Sequence, residues 1–95
     1  MLSLQQHVST FNKINRWLED NDESAVGLAG LGDAVIGLHY DQKEGVYRLV
    51  YSAEAILDIL ILEGMGDEEA VEHYHYNIER SCIGSKSPIL VKTIL

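Results

Sequence analysis

The chain holds one cysteine, Cys82, so no intramolecular disulfide can form and a reducing cytoplasm is its natural home. It holds one proline, Pro88, and its eight glycines are scattered, so no Pro- or Gly-rich linker divides it. The longest unbroken apolar run is Ile59 to Leu62. That is far short of the roughly 20 residues a spanning helix needs, so no membrane span is expected. The N-terminus, MLSLQQHVSTFNK, lacks a basic stretch followed by an apolar one, so it does not read as a signal peptide.

Positive charge is scarce. Fifteen acids face seven lysines and arginines, for a net charge of −8. Direct nucleic-acid binding needs a basic footprint, and anionic lipid attracts basic segments, so neither is expected. Histidines aside, no base stands between Arg48 and Arg80. That interval holds Glu54, Asp58, Glu63, Asp67, Glu68, Glu69, Glu72 and Glu79. Solvated helices ordinarily set Glu against Lys four residues on. This stretch forgoes that support, which marks it as a surface for a basic partner or as a simple solubility device.

What is present is enough for a fold. Ninety-five residues, 46% of them apolar, make one domain with a modest core. Residues 3–20 carry Leu4, Val8, Phe11, Ile14, Trp17 and Leu18 at three- and four-residue steps, which predicts an amphipathic helix ending at Asn21 and Asp22. Residues 22–33, with three glycines, read as a loop with one helical turn, packed down by Val26, Leu28 and Leu31. The β-branched and aromatic segments within 34–51, joined by DQKEG, predict a hairpin. Val46, Arg48 and Val50 share one face of its second strand, and Tyr47, Leu49 and Tyr51 the other. Ser52 is set to cap a helix that runs to about Glu63, with Gly64 closing it. Apolar residues circle that helix, so it should be central, and Ile56, Ile59, Leu60 and Leu62 are the expected interface of a homodimer.

A third helix is expected from Gly66 or Asp67, with Ala70, Val71, Tyr74 and Ile78 turned inward and Glu68, Glu72, His75 and Glu79 outward. A strand over about Ile89–Thr93 should complete a three-stranded antiparallel or mixed sheet. The fold class is therefore α+β: helix, hairpin, two helices, strand.

No residue pattern amounts to an enzyme signature. G-x-S-x-G, H-E-x-x-H and a Walker loop are all missing. A hydrolase would have to be built on Cys82, or on Ser85 or Ser87 with a histidine and an acid, and their order along the chain does not support it. His73 and His75 point about 160° apart on a helix, so they cannot share a metal. His75 shares a face with Glu72 and Glu79, but one nitrogen ligand is a poor zinc site, and a His75–Glu79 surface pair is expected instead. His73 should lie near Glu69 and Arg80. Asn77, at the edge of the inward stripe, should bond the backbone of the turn over 83–88. No cofactor or metal is expected.

The stretch from Gly32 to Val91 resembles a family of small, mostly uncharacterised phage and prophage proteins. The resemblance rests on GLGDAVIG, VYSAEAILDILILEGMGDEEAVEHY and YNIERSCIGSKSPILV. Within them fall Gly64-Met65, the aromatic-Asn pair Tyr76-Asn77, and the Gly84, Ser87, Pro88 finish. It covers about the last two-thirds of the chain, a family-like core over 34–95 behind an N-terminal helix in 1–22. Glu79-Arg80-Ser81 and Cys82 depart from the pattern. The resemblance implies an accessory role in the cytoplasm of an infected bacterium and carries over no catalytic residue.

Two function classes follow. One is a binding protein that modulates or inhibits a host or phage component, in defence or nucleic-acid handling, through Glu68, Glu69, Glu72 and Glu79. The other is an oligomeric sponge for a nucleotide-like signal, drawing on Tyr47, Tyr51, Tyr74, Asn77, Arg48, Arg80 and Lys86. Of these, Tyr74, Asn77, Arg80 and Lys86 are the residues expected at a ligand or organising the last turn.

Overall fold

The computed structural model describes residues 9–92. Helix α1 spans Thr10–Asp20, and a single 3-10 turn over Gly32–Ala34 leads into the sheet. Strands β1 (Val35–Asp41) and β2 (Val46–Ser52) form the hairpin. Helices α2 (Ala53–Leu62) and α3 (Asp67–His73) follow, and β3 (Ile89–Val91) closes the chain order. The α+β architecture expected from the sequence is the one observed.

α1 starts later than the 3–20 periodicity predicts. Ser9 is extended and caps it, its Oγ accepting the Asn12 N–H at 3.1 Å. Leu4, Val8 and the rest of the predicted first turns lie outside the described residues, as does Thr93 at the end of the last strand. The helix ends where expected. Asp22 sits at φ 56, the Asp22 N–H donates to Glu19 O and the Glu23 N–H to Leu18 O. Those two bonds make a Schellman motif with aspartate where glycine is preferred. Asp22→Gly should therefore raise stability by about 0.5 kcal/mol. A lower urea midpoint in the variant would show that the carboxylate itself helps to hold the turn.

The hairpin turn is built by Asp41. Its Oδ1 accepts the N–H groups of Lys43 and Glu44, and its carbonyl accepts from Gly45 at φ +68. Opposed residues place Leu38 beside Leu49 and Tyr40 beside Tyr47, with a bulge at Ile36. β3 pairs with β2 in parallel, Leu90 opposite Tyr51, giving the order β1-β2-β3. A parallel pair needs a long crossover, and both α2 and α3 lie in it.

Leu49 and Tyr51 are fully buried and share one core with Ile56, Leu60, Ala70, Tyr74 and Ile78. The Tyr51 hydroxyl accepts the Leu28 N–H at 2.8 Å, which ties the 23–31 loop to the sheet. Leu31 is buried there and Leu28 half-buried, but Val26, expected to pack, is exposed. α2 is capped by Ser52 Oγ on the Ala55 N–H and closed by Gly64 at φ +110. The Gly64 and Met65 N–H groups donate to Ile61 O and Leu60 O, a second Schellman motif. No helix among the described residues is long and apolar enough to cross a membrane.

Candidate functional site

Three surfaces carry the residues singled out by sequence: the outer side of α3, the turn that follows it, and a cleft beside the sheet.

α3 forms because acids crowd its first turn, where free N–H groups favour negative charge. Glu69 bends back to accept the Gly66 N–H at 3.4 Å, so it acts as an end cap. Glu68 and Glu72 stand exposed around a hollow of about 320 Å³ that Asp67 and Val71 also line. Val71, expected to point inward, is 43% exposed. Asp58 and Glu63 of the preceding helix and its end are exposed too. The ion pairs among the described residues are Arg48–Asp41 and His75–Glu79, so none of these five acids is paired with a described cation.

The continuous face Glu68, Glu72, Glu79 predicted for a regular helix does not form. After His73 the backbone widens into a π-helical turn over Tyr74–Ile78, with the Glu79 N–H donating to Tyr74 O. A 3-10 turn, Glu79–Ser81, follows. The change of pitch carries Glu79 away from the hollow beside Glu68 and Glu72 and into the wall of the sheet cleft. The expected His75–Glu79 pair is present at 3.1 Å. His73 instead meets the Asn77 amide, Nδ1 to Nδ2 at 3.0 Å. Asn77 is therefore bonded along its own turn and not to the turn over 83–88 as expected. Arg80 lies over the exposed Tyr76 ring, 5.1 Å from its centre. Among the described residues no three His, Cys, Asp or Glu side chains are placed to hold a metal ion.

The partner that Asn77 was expected to be is Arg48. Its side chain is 12% exposed, and the guanidinium takes Asp41 Oδ2 through Nε at 3.0 Å and Nη2 at 2.8 Å. Nη1 donates to Gly84 O at 3.2 Å and Ser87 O at 3.0 Å. The Ser87 Oγ accepts the Gly84 N–H, which closes the turn on itself. Asp41 Oδ1 already accepts two backbone N–H groups. The Glu44 N–H above all, then the Arg48 guanidinium, hold its carboxyl below the usual aspartate range. The sequence signal for this pair is an arginine between two valines on a half-buried strand face, since a buried guanidinium requires an acceptor.

The cleft of about 450 Å³ beside this pair is lined by His39, Arg48, Tyr74, Glu79, Cys82 and Lys92, among others. Four of the five Arg48 N–H donors are already bonded, so it has little left for a ligand phosphate. Cys82 is half-buried, its sulfur 3.9 Å from the Ser81 hydroxyl, and burial pushes its thiol up. A raised thiol is a weak nucleophile at neutral pH. The residues of the nucleotide-sponge reading are dispersed. Tyr51 is in the core, Tyr47 packs edge-on to Trp17 at 5.4 Å, and Lys86 lines a separate hollow with Val26 and Tyr47. Of that set the cleft gathers Arg48 and Tyr74.

The four residues expected at a dimer interface also divide. Ile56 and Leu60 are buried within the chain's own core, and Ile59 is half-buried against it. Leu62, at 86% exposure, is the one of the four that reaches the surface, beside Ile61 at 40%. α2 is circled by apolar residues, but Ala53, Ile56 and Leu60 face the chain's own core while Ile61 and Leu62 reach the surface at its end.

No family model, curated protein or solved structure matches the chain.

Proposed function

We propose that this chain is a non-catalytic binding protein that modulates a host or phage macromolecule by presenting the α2–α3 carboxylates to a basic surface. The observation that carries the reading is the group Asp58, Glu63, Asp67, Glu68 and Glu72, all exposed and none paired with a cation among the described residues. Unpaired like charge concentrated in one stretch of a small domain raises the local potential, steers a basic partner and speeds its approach. The resemblance to small phage and prophage proteins supports an accessory role of this kind in the cytoplasm of an infected bacterium. The raised Cys82 thiol and an Arg48 with four of its five N–H donors bonded favour binding over chemistry.

Reversing Glu68, Glu69 and Glu72 to lysine tests the proposal. Pull-down from host lysate should recover a partner with the native chain and lose it with the variant. With that partner purified, the association rate should fall at least about tenfold and its salt dependence should flatten. Unaltered capture and an unaltered salt slope would sink the proposal. Loss of Glu69 also removes the Gly66 cap, and Glu68 belongs to the acidic first turn, so the Glu68→Gln, Glu72→Lys double variant serves as the form that spares the helix start.

A further inference from the structure

Resting on that reading, we infer that the trough between α2 and α3 seats one face of a basic amphipathic helix, with apolar anchors in the trough and its cations on the acids alongside. Two hollows meet at Val71. One, of about 320 Å³, has Asp67, Glu68 and Glu72 for its other walls. The second, of about 130 Å³, lies between Ala53, Glu54 and Leu57 of α2 and Tyr74 and His75 of the π turn, and Lys92 also lines it. Ile61 stands one helical turn beyond Leu57 on the same side of α2, so the apolar line continues toward the end of that helix. Val71 and Ile61 are 43% and 40% exposed, large apolar side chains that the described residues leave partly uncovered.

The surroundings select the occupant. Glu68 and Glu72 flank Val71 at i−3 and i+1, and Asp58 sits one residue after Leu57 on the exposed side of α2. A second copy of this chain carries the same −8 charge and would set those acids against their own images. A segment with lysines or arginines beside leucine-like anchors satisfies both the apolar line and the acids. Helix-in-groove recognition uses anchors at i, i+3 or i+4, and i+7. α2 is ten residues, about 15 Å long, so the trough accommodates roughly ten residues of a bound helix.

Two labelled peptides of twelve residues decide the matter, one a Lys/Leu amphipathic helix and the other of equal charge with glutamine at each leucine. Anisotropy titrations against the full chain should show the leucine peptide binding at least about tenfold more tightly. Val71→Ser with Ile61→Ser should abolish that preference and leave the weak glutamine-peptide affinity in place. Amide shift mapping on the native chain needs no variant and should place the leucine peptide on residues 57, 61 and 71. Equal affinity for the two peptides would leave the charge reading standing and overturn the trough. Shifts centred elsewhere, or a preference that survives the double serine variant, would also overturn it. Binding of neither peptide would remove both readings. Self-association of the free chain that the serine variant abolishes would name a second copy as the occupant and overturn the assignment.

Discussion

Ile56→Ala should lower the stability of the folded chain by about 3–4 kcal/mol, while Leu62→Ser should change it by no more than about 0.5 kcal/mol. The two residues stand six apart on one helix, and composition does not separate them. Ile56 is 0% exposed and, with Tyr51 and Leu49, among the largest side chains sealed in the core. Removing three carbons there forfeits their transfer energy and leaves a cavity that α2, wedged between the sheet and α3, can only partly close. A domain of this size holds about 5–15 kcal/mol in total, so the loss is a large share of it. Leu62 projects from the last turn of α2 and touches little of the core. Urea unfolding followed by Trp17 fluorescence gives the measurement, since Trp17 lies edge-on to Tyr47 of β2 and loses that neighbour on unfolding. If Ile56 served an interface between copies, its variant would keep the protomer fold and show a midpoint that moves with protein concentration. A small, concentration-dependent shift would overturn the burial account.

Features set by neighbouring residues were legible in the sequence. The Ser52 cap, the Gly64 terminus and the hairpin each depend on a residue type at a fixed offset, and each is where the spacing put it. The helix end at Asn21–Asp22 is of the same kind. Features set by tertiary demand were not. The π turn is one, and in retrospect its signal is the inward stripe. Ala70, Tyr74 and Ile78 recur at strict four-residue steps, which overrun a 3.6-residue turn by about 40° each. A wider turn takes up part of that drift and keeps all three buried, and the displaced residue is Glu79. The Asp41–Arg48 pair is another. Asp41 lies opposite Val46, two residues from Arg48 along β2, so the two meet only on the diagonal of the folded ladder. For the candidate site the lesson is similar. The sequence located the acidic helix, but not that Val71 would face outward between Glu68 and Glu72 or that Glu69 would turn back to cap.

Arg48→Met should cost about 2–3 kcal/mol, and the loss should be smaller in acid than at neutral pH. Methionine fills much of the same volume, so the change falls on hydrogen bonds and charge. Two carbonyls, Gly84 and Ser87, lose a charged donor. A hydrogen bond from an ionised group is worth about 1–3 kcal/mol, and both of these hold the turn that leads Pro88 into β3, the Ser87 bond part-buried and the Gly84 bond exposed. The Asp41 carboxylate supplies the pH dependence. Its folded value lies below the ordinary one of about 3.9. A lowered carboxyl stabilises the fold above its unfolded value and ceases to do so as pH falls through its folded value. The Arg48 share of that stabilisation is therefore complete above about pH 5 and fades below about pH 4. In the variant, the N–H groups of Glu44 and Lys43 still hold Asp41 down, so an acid limb remains, shallower than in the native chain. Arg48→Lys should recover only part of the loss, because one ammonium cannot span the carboxylate and two carbonyls. Thermal unfolding of the three proteins at intervals from pH 7 to pH 3 separates the contributions. A gap between native and methionine forms that stayed constant over that range would remove Asp41 from the account and leave the two carbonyls as all that Arg48 holds.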